Sequence, residues 1–190
     1  SDRLLINLHI GYSQMMRSFL IYLSKADWVC QIVTKWGVAR RVAARFVAGE
    51  KLEDAINVVK QLNARGINAT LDHLGERTTN PEKAKQATQH IIDIFDAIDK
   101  SGVRSNVSIK LTQIGLALDQ GLCADNLEKI IESVRKHNTF LRIDMEDSQW
   151  VDKTLELYHY ARQTCGCENV GVVIQSYLYR SEKDIRTLNE

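Results

Sequence analysis

Asp72, Lys110, Asp144 and Gln175 each stand at or just past the end of a short apolar run, at successive intervals of 38, 34 and 31 residues. Lys110 lies in VSIKL, residues 107–111. An ammonium group in such a run must meet a carboxylate or a ligand anion, because an unpaired buried charge is very costly. A structural ion pair with a neighbouring strand and contact with a bound anion answer that need equally. Asp144 sits in Arg142-Ile143-Asp144-Met145-Glu146-Asp147. If adjacent strands carry Lys110 and Asp144, the two charges face each other and can orient a charged amino acid. Gln175 precedes Ser176-Tyr177-Leu178-Tyr179-Arg180, and its amide offers a donor and acceptors to a heterocycle edge or to a loop hydrogen bond. Asp72, His73 and Glu76 mark the end of the first run. No H-x-x-x-H spacing supports a metal there, so His73 reads as a hydrogen-bonded structural residue. Glu146 and Asp147 are expected to open the following helix, where acids favour the positive end of the dipole.

Periodic segments between the runs supply the scaffold. Leu52, Ala55, Ile56, Val59 and Leu62 form one face of an amphipathic helix that Gly66 should stop. The runs at 67–71, 107–111, 140–145 and 170–174 read as four strands. Asn80 and Pro81 suit the cap and first position of a helix carrying Ala84, Ala87, Ile91, Ile94, Phe95 and Ile98, with Gly102 at its end. Asp125 and Glu128 make a capping box for a helix with Leu127, Ile130, Ile131 and Val134. Ser148 is placed to cap a helix carrying Val151, Leu155, Tyr158 and Ala161, ended by Gly166, and Ser181-x-x-Asp184 opens a last one. Strands alternating with helices predict a parallel sheet of βαβ units, either doubly wound or a β/α barrel. No G-x-G-x-x-G follows a strand, and polar residues at successive strand ends suit a barrel rim.

Among 190 residues, 44% are hydrophobic and 26% charged, with a net charge of +1, so nothing global calls for nucleic acid. Residues 1–46 hold Arg3, Arg17, Lys25, Lys35, Arg40, Arg41 and Arg45 against Asp2 and Asp27. With Trp28 and Trp36, this basic stretch fits a solvated helical arm or a surface resting on anionic lipid. Cys30, Cys123, Cys165 and Cys167 form neither a disulfide framework nor a zinc set, which suits free thiols in a reducing compartment. No run has the length of a membrane span.

Five stretches, in order, carry a resemblance. They are Arg45-Phe46-Val47-Ala48-Gly49-Glu50, Thr70-Leu71-Asp72-His73-Leu74-Gly75-Glu76, and Val107-Ser108-Ile109-Lys110-Leu111-Thr112-Gln113-Ile114-Gly115. Arg142-Ile143-Asp144-Met145-Glu146-Asp147-Ser148 and Val172-Val173-Ile174-Gln175-Ser176-Tyr177-Leu178-Tyr179-Arg180 complete the set. Together the sequence from Met15 to Glu190 resembles proline dehydrogenase, particularly its monofunctional bacterial type. The resemblance implies an α/β fold: a partial (βα)8 barrel, its first four βα units, preceded by N-terminal helices. Residues 1–14 are then an unassigned leader, 15–48 a helical arm, and 49–190 the first half of the barrel.

It further implies noncovalent FAD, oxidation of L-proline to 1-pyrroline-5-carboxylate, and a membrane quinone as electron acceptor. That setting is cytoplasmic, with peripheral contact at the inner membrane. By position, Lys110 contacts substrate, Asp144 is the active-site acid, and the Met145 backbone and Gln175 contact the flavin. The family's fifth and sixth strands, and the paired arginines of its last helix that clamp the proline carboxylate, fall past Glu190. The 190 residues alone are therefore expected to bind FAD poorly and to lack turnover. A different reading is a non-catalytic half-barrel that assembles with another chain. A barrel enzyme with a phosphate ligand is a third, although its phosphate loops would fall near strands seven and eight.

Overall fold

The computed structural model describes residues 51–73, 75 and 78–189. The leader at 1–14, the arm at 15–48, the stretch 45–50 and Glu76 lie outside the described residues.

Helix α1 (Leu52–Ala64) buries Ile56 and Val59, and Gly66 follows it at φ 77°. Strand β1 (Ala69–Asp72) leads into α2 (Pro81–Ser101). Asn80 caps α2 by accepting from the Lys83 amide at 2.9 Å, Pro81 occupies its first turn, and Gly102 ends it at φ 66°. Strand β2 (Ser105–Ile109) is followed by α3 (Gln120–Lys136), and β3 (Leu141–Ile143) by a 3-10 turn (Ser148–Trp150) and α4 (Val151–His159). A π-helical turn (Tyr160–Thr164), β4 (Val170–Val172) and α5 (Ser181–Leu188) complete the described chain.

All four strands are parallel and lie in the order β1-β2-β3-β4. A doubly wound sheet reverses its order at a switch point, whereas barrel winding keeps sequential strands adjacent. The described fold is thus a partial (βα)8 barrel. One sheet face presents Leu71, Val107, Ile109, Leu141, Ile143 and Val170 to a core completed by Ile91, Phe95, Leu127, Ile130 and Ile131 of the helices. Strand alternation sends Thr70, Asp72, Ser108 and Arg142 to the opposite face. Hydrophobic burial on one side therefore aligns a polar row on the other.

Several local expectations need correction. Strands β1 and β2 are displaced by up to two residues from the apolar runs, and β3 and β4 are shorter than theirs. The cap of α3 is Asp119, whose Oδ1 accepts from the Leu122 amide at 2.8 Å, before the expected Asp125–Glu128 box. Asp125 and Glu128 lie inside the helix, where Glu128 accepts a hydrogen bond from the Tyr160 hydroxyl. Ser148 begins the 3-10 turn and makes no cap for α4. That helix passes into the π-helical turn at Tyr160, and Gly166 follows the end of the helical run at φ 65°, as expected. Ser181 opens α5 as expected, with its hydroxyl donating to the Gln175 carbonyl at 2.5 Å.

Candidate active site

The register explains how residues so distant in sequence meet. Asp72 lies level with Ser108, and Ile109 with Ile143, so Lys110 and Asp144 come next as lateral neighbours past β2 and β3. The Asp144 amide donates to the Ile109 carbonyl at 2.9 Å and carries the ladder to that level. Lys110 Nζ donates to Asp72 Oδ2 at 2.5 Å and stands 3.8 Å from Asp144 Oδ2. Arg142 Nε donates to Asp144 Oδ1 at 3.0 Å. The order Asp72–Lys110–Asp144–Arg142 thus alternates in sign across three strand ends, its side chains 21–42% exposed.

The expected Lys110–Asp144 contact is present, yet it is the longer of two. Asp72, which the sequence placed at the rim without a partner, makes the shorter one. Arg142 was overlooked, although its position two residues before Asp144 puts both side chains on one face of a strand.

Loops brace this row on both sides. Glu146 accepts from the Thr112 amide at 3.0 Å and from the Thr112 hydroxyl at 2.5 Å, tying the segment after β2 to the segment after β3. The expectation that Glu146 serves a helix start is therefore corrected: α4 begins five residues later, and Asp152 is the acid of its first turn. Gln113 Nε2 donates to the His73 and Gly75 carbonyls at 3.0 and 2.7 Å, and Thr78 donates through Oγ1 to the Thr112 carbonyl at 3.1 Å. Nothing in the periodicity marks Thr112 or Gln113, because their partners come from other loops.

Gln175 Nε2 reaches the Met145 carbonyl at 3.4 Å, so the two residues expected to face a flavin are linked next to Asp144. Among the described residues, the other end of the amide, Oε1, receives only the Tyr177 hydroxyl at 3.5 Å. Both contacts are at the long limit for hydrogen bonds, which leaves the amide available to another partner.

His73 Nε2 lies 3.2 Å from His90 Nδ1 on α2, and burial, with the nearby His90 charge, lowers the His73 pKa against the opposing pull of Asp72. Cys123 is buried beneath the rim, with Sγ directed at the Leu111 carbonyl at 3.6 Å. Burial, and secondarily the Glu146 charge, pushes its thiol up to about 12, which keeps it from acting as a nucleophile at neutral pH.

A parallel β/α barrel segment with its polar groups gathered at the C-terminal strand ends defines an enzyme-type rim. The family model for proline dehydrogenase matches residues 55–190, and the chain belongs to that family. It is 36% identical over 173 residues to "Proline dehydrogenase 2" of Bacillus subtilis (strain 168), covering 91% of this chain and 56% of the relative. It is 35% identical over 182 residues to "Proline dehydrogenase" of Deinococcus radiodurans, covering 93% and 57%. The chain therefore spans just over half the length of these curated relatives. The crystal structure of proline utilization A (PutA) from Bdellovibrio bacteriovorus, inactivated by N-propargylglycine, superimposes with a TM-score of 0.69 at 20% identity. That match covers 75% of this chain and 18% of the other, and it shows a shared fold.

Proposed function

We propose that these residues build part of the rim of a flavin-dependent proline dehydrogenase, which converts L-proline to 1-pyrroline-5-carboxylate. Family membership supports the reaction class, and the single observation that supports the site is the lysine shared between Asp72 and Asp144. In this reading Lys110 attracts the substrate carboxylate, and Asp144 is the acid facing the reacting end. The Gln175 amide and the Met145 carbonyl fit FAD because their mutual bond is long and easily exchanged. FAD, when bound, supplies the hydride acceptor. A quinone at the inner membrane receives the electrons, with the protein on the cytoplasmic side. Among the described residues no helix is long and apolar enough to cross a membrane.

The 190 residues expressed alone are expected to bind FAD poorly and to show no proline:acceptor turnover, since a substrate carboxylate needs bidentate cationic partners besides Lys110. Purified chain is tested for stoichiometric flavin absorbance and for reduction of a quinone analogue with L-proline. Stoichiometric flavin together with turnover overturns the expected inactivity. A second reading is a non-catalytic half-barrel that assembles with another chain. It is favoured by β1 and β4 each having a single strand partner among the described residues, since unpaired edges recruit other strands. Native mass measurement with and without FAD separates the two, because only assembly gives a complex without cofactor.

A further inference from the structure

We infer that Asp72 is the positioning residue of Lys110, and that by taking the lysine's hydrogen bond it leaves Asp144 Oδ2 free to accept one from a ligand. This inference rests on the reading of Lys110 and Asp144 as ligand-facing groups, and it adds a residue to which that reading gave no role.

Three observations support it. Lys110 and Asp144 are lateral neighbours in register, so the shortest reach of the ammonium group would be toward Asp144. It turns the other way, toward β1 and one residue pair back down the sheet, to meet Asp72 Oδ2 at 2.5 Å and leave Asp144 Oδ2 at 3.8 Å. The first distance is a charge-assisted hydrogen bond, and the second is only a charge contact. Next, Asp144 is engaged through its other oxygen by Arg142 Nε at 3.0 Å, which neutralises part of its pull on the lysine. Finally, among the described residues Asp72 Oδ1 is buried without a hydrogen bond, and Lys110 is the cation that meets this carboxylate. Removing Lys110 from Asp72 would strand a partly buried charge, whereas removing it from Asp144 would not, because Arg142 remains.

The division of labour follows. Asp72 fixes the direction of the lysine side chain, Arg142 fixes the Asp144 carboxylate, and among the described residues Asp144 Oδ2 is left without a hydrogen bond between two cations. That geometry suits a small zwitterion, whose carboxylate meets Lys110 and whose ammonium meets Asp144 Oδ2.

The test reads Lys110 directly and needs neither flavin, proline nor turnover, so absence of enzymatic activity does not decide it. The chain is acetylated with N-hydroxysuccinimidyl acetate, and each lysine's rate is followed by peptide mass spectrometry, with exposed Lys85 and Lys129 as internal references. An ammonium group held by a carboxylate reacts more slowly than a released one. Asp72→Asn is expected to speed Lys110 acetylation roughly two- to fivefold against the references, in keeping with a partly exposed ion pair. Asp144→Asn is expected to change it by less than about 1.5-fold, as for a contact too long for a hydrogen bond. Asp72→Glu, which keeps the charge, should restore much of the protection. Equal or larger acceleration by Asp144→Asn overturns the inference, as does no acceleration by Asp72→Asn. If Asp72→Asn loosens the whole fold, the buried Cys123 opens to alkylation by iodoacetamide, and the Asp144→Asn result alone decides.

Discussion

The two ends of the same four-stranded sheet treat their polar groups in opposite ways. At the strand starts, Asn63, Arg104 and His137 close on neighbours. Asn63 accepts from the Arg104 amide at 2.6 Å and donates to the Arg104 and Ile67 carbonyls at 3.1 and 2.9 Å. Arg104 in turn reaches Asn68 Oδ1 at 3.1 Å. His137, at the C-terminal end of α3, has one ring nitrogen 2.6 Å from Asp96 and the other 3.4 Å from Asp99, with its side chain only 7% exposed. At the strand ends, a basic group between two carboxylates is left open instead. Among the described residues, Lys110 is a third exposed, Asp144 Oδ2 has no hydrogen bond, and the Gln175 side chain is held only by long contacts. Saturated groups stabilise, while unsaturated ones are available to a ligand. This is the division expected of a β/α barrel, whose lower face serves stability and whose upper face serves chemistry.

The largest stability effect is therefore expected at the lower end. Asn63→Ala removes an acceptor and two donations that join α1, the start of β1 and the start of β2. A loss of about 1–2 kcal/mol is expected, the range for several modest hydrogen bonds that water partly replaces. Denaturant unfolding measures it. A loss below about 0.5 kcal/mol, less than one well-formed hydrogen bond yields, would erase the contrast between the two ends.

Acid should separate the ends by pH. His73, at the rim, has a folded pKa lowered by burial and by His90, so the unfolded chain binds its proton first. Its contribution is present above the unfolded value of about 6.5 and is lost as pH falls toward the lower folded value. Asp96, at the opposite end, is held below the usual carboxylate range by hydrogen bonds from Lys136 and His137. Its contribution is present above about 4 and is lost only as pH falls through the depressed value. His73→Gln should flatten the stability profile just below pH 6.5, and Asp96→Asn should flatten it only below about pH 4. Unfolding midpoints across pH check both, and a single shared acid limb would break the distinction. Because Asp96 is half exposed, its effect is the smaller of the two.

The sequence shows the scaffold because hydrophobic periodicity records burial, and burial built the sheet and its helices. Ile91, Phe95, Leu127, Ile130 and Val107 were all legible for that reason. The identity of the rim residues was legible too, since Lys110 and Asp144 interrupt apolar runs at one βα interval. Their pairing was not. Whether a lysine turns toward Asp72 or Asp144 depends on register and on Arg142, and neither leaves a periodic trace. The cap of α3 was misplaced because Asp125 and Glu128 have the right spacing, yet Asp119 meets the free amide of Leu122 first. Likewise Thr112 and Glu146 are bound across 34 residues, a distance over which local propensity says nothing.

The smallest effect is expected at Gln175, and it is the sharpest check on the comparison. Its side chain lies near the rim as Asn63 lies at the lower end, and each is an amide that bridges two chain segments beside the sheet. Asn63 makes contacts of 2.6–3.1 Å, whereas those of Gln175 are 3.4 and 3.5 Å. The Gln175 carbonyl is held separately by the Ser181 hydroxyl at 2.5 Å, so truncating the side chain leaves the backbone anchored. Gln175→Ala should therefore cost less than about 0.5 kcal/mol, below the usual yield of a well-formed hydrogen bond. Measured beside Asn63→Ala in the same denaturant series, an equal cost would make Gln175 a brace like Asn63. An amide already committed to holding the fold together would have little left to offer a flavin.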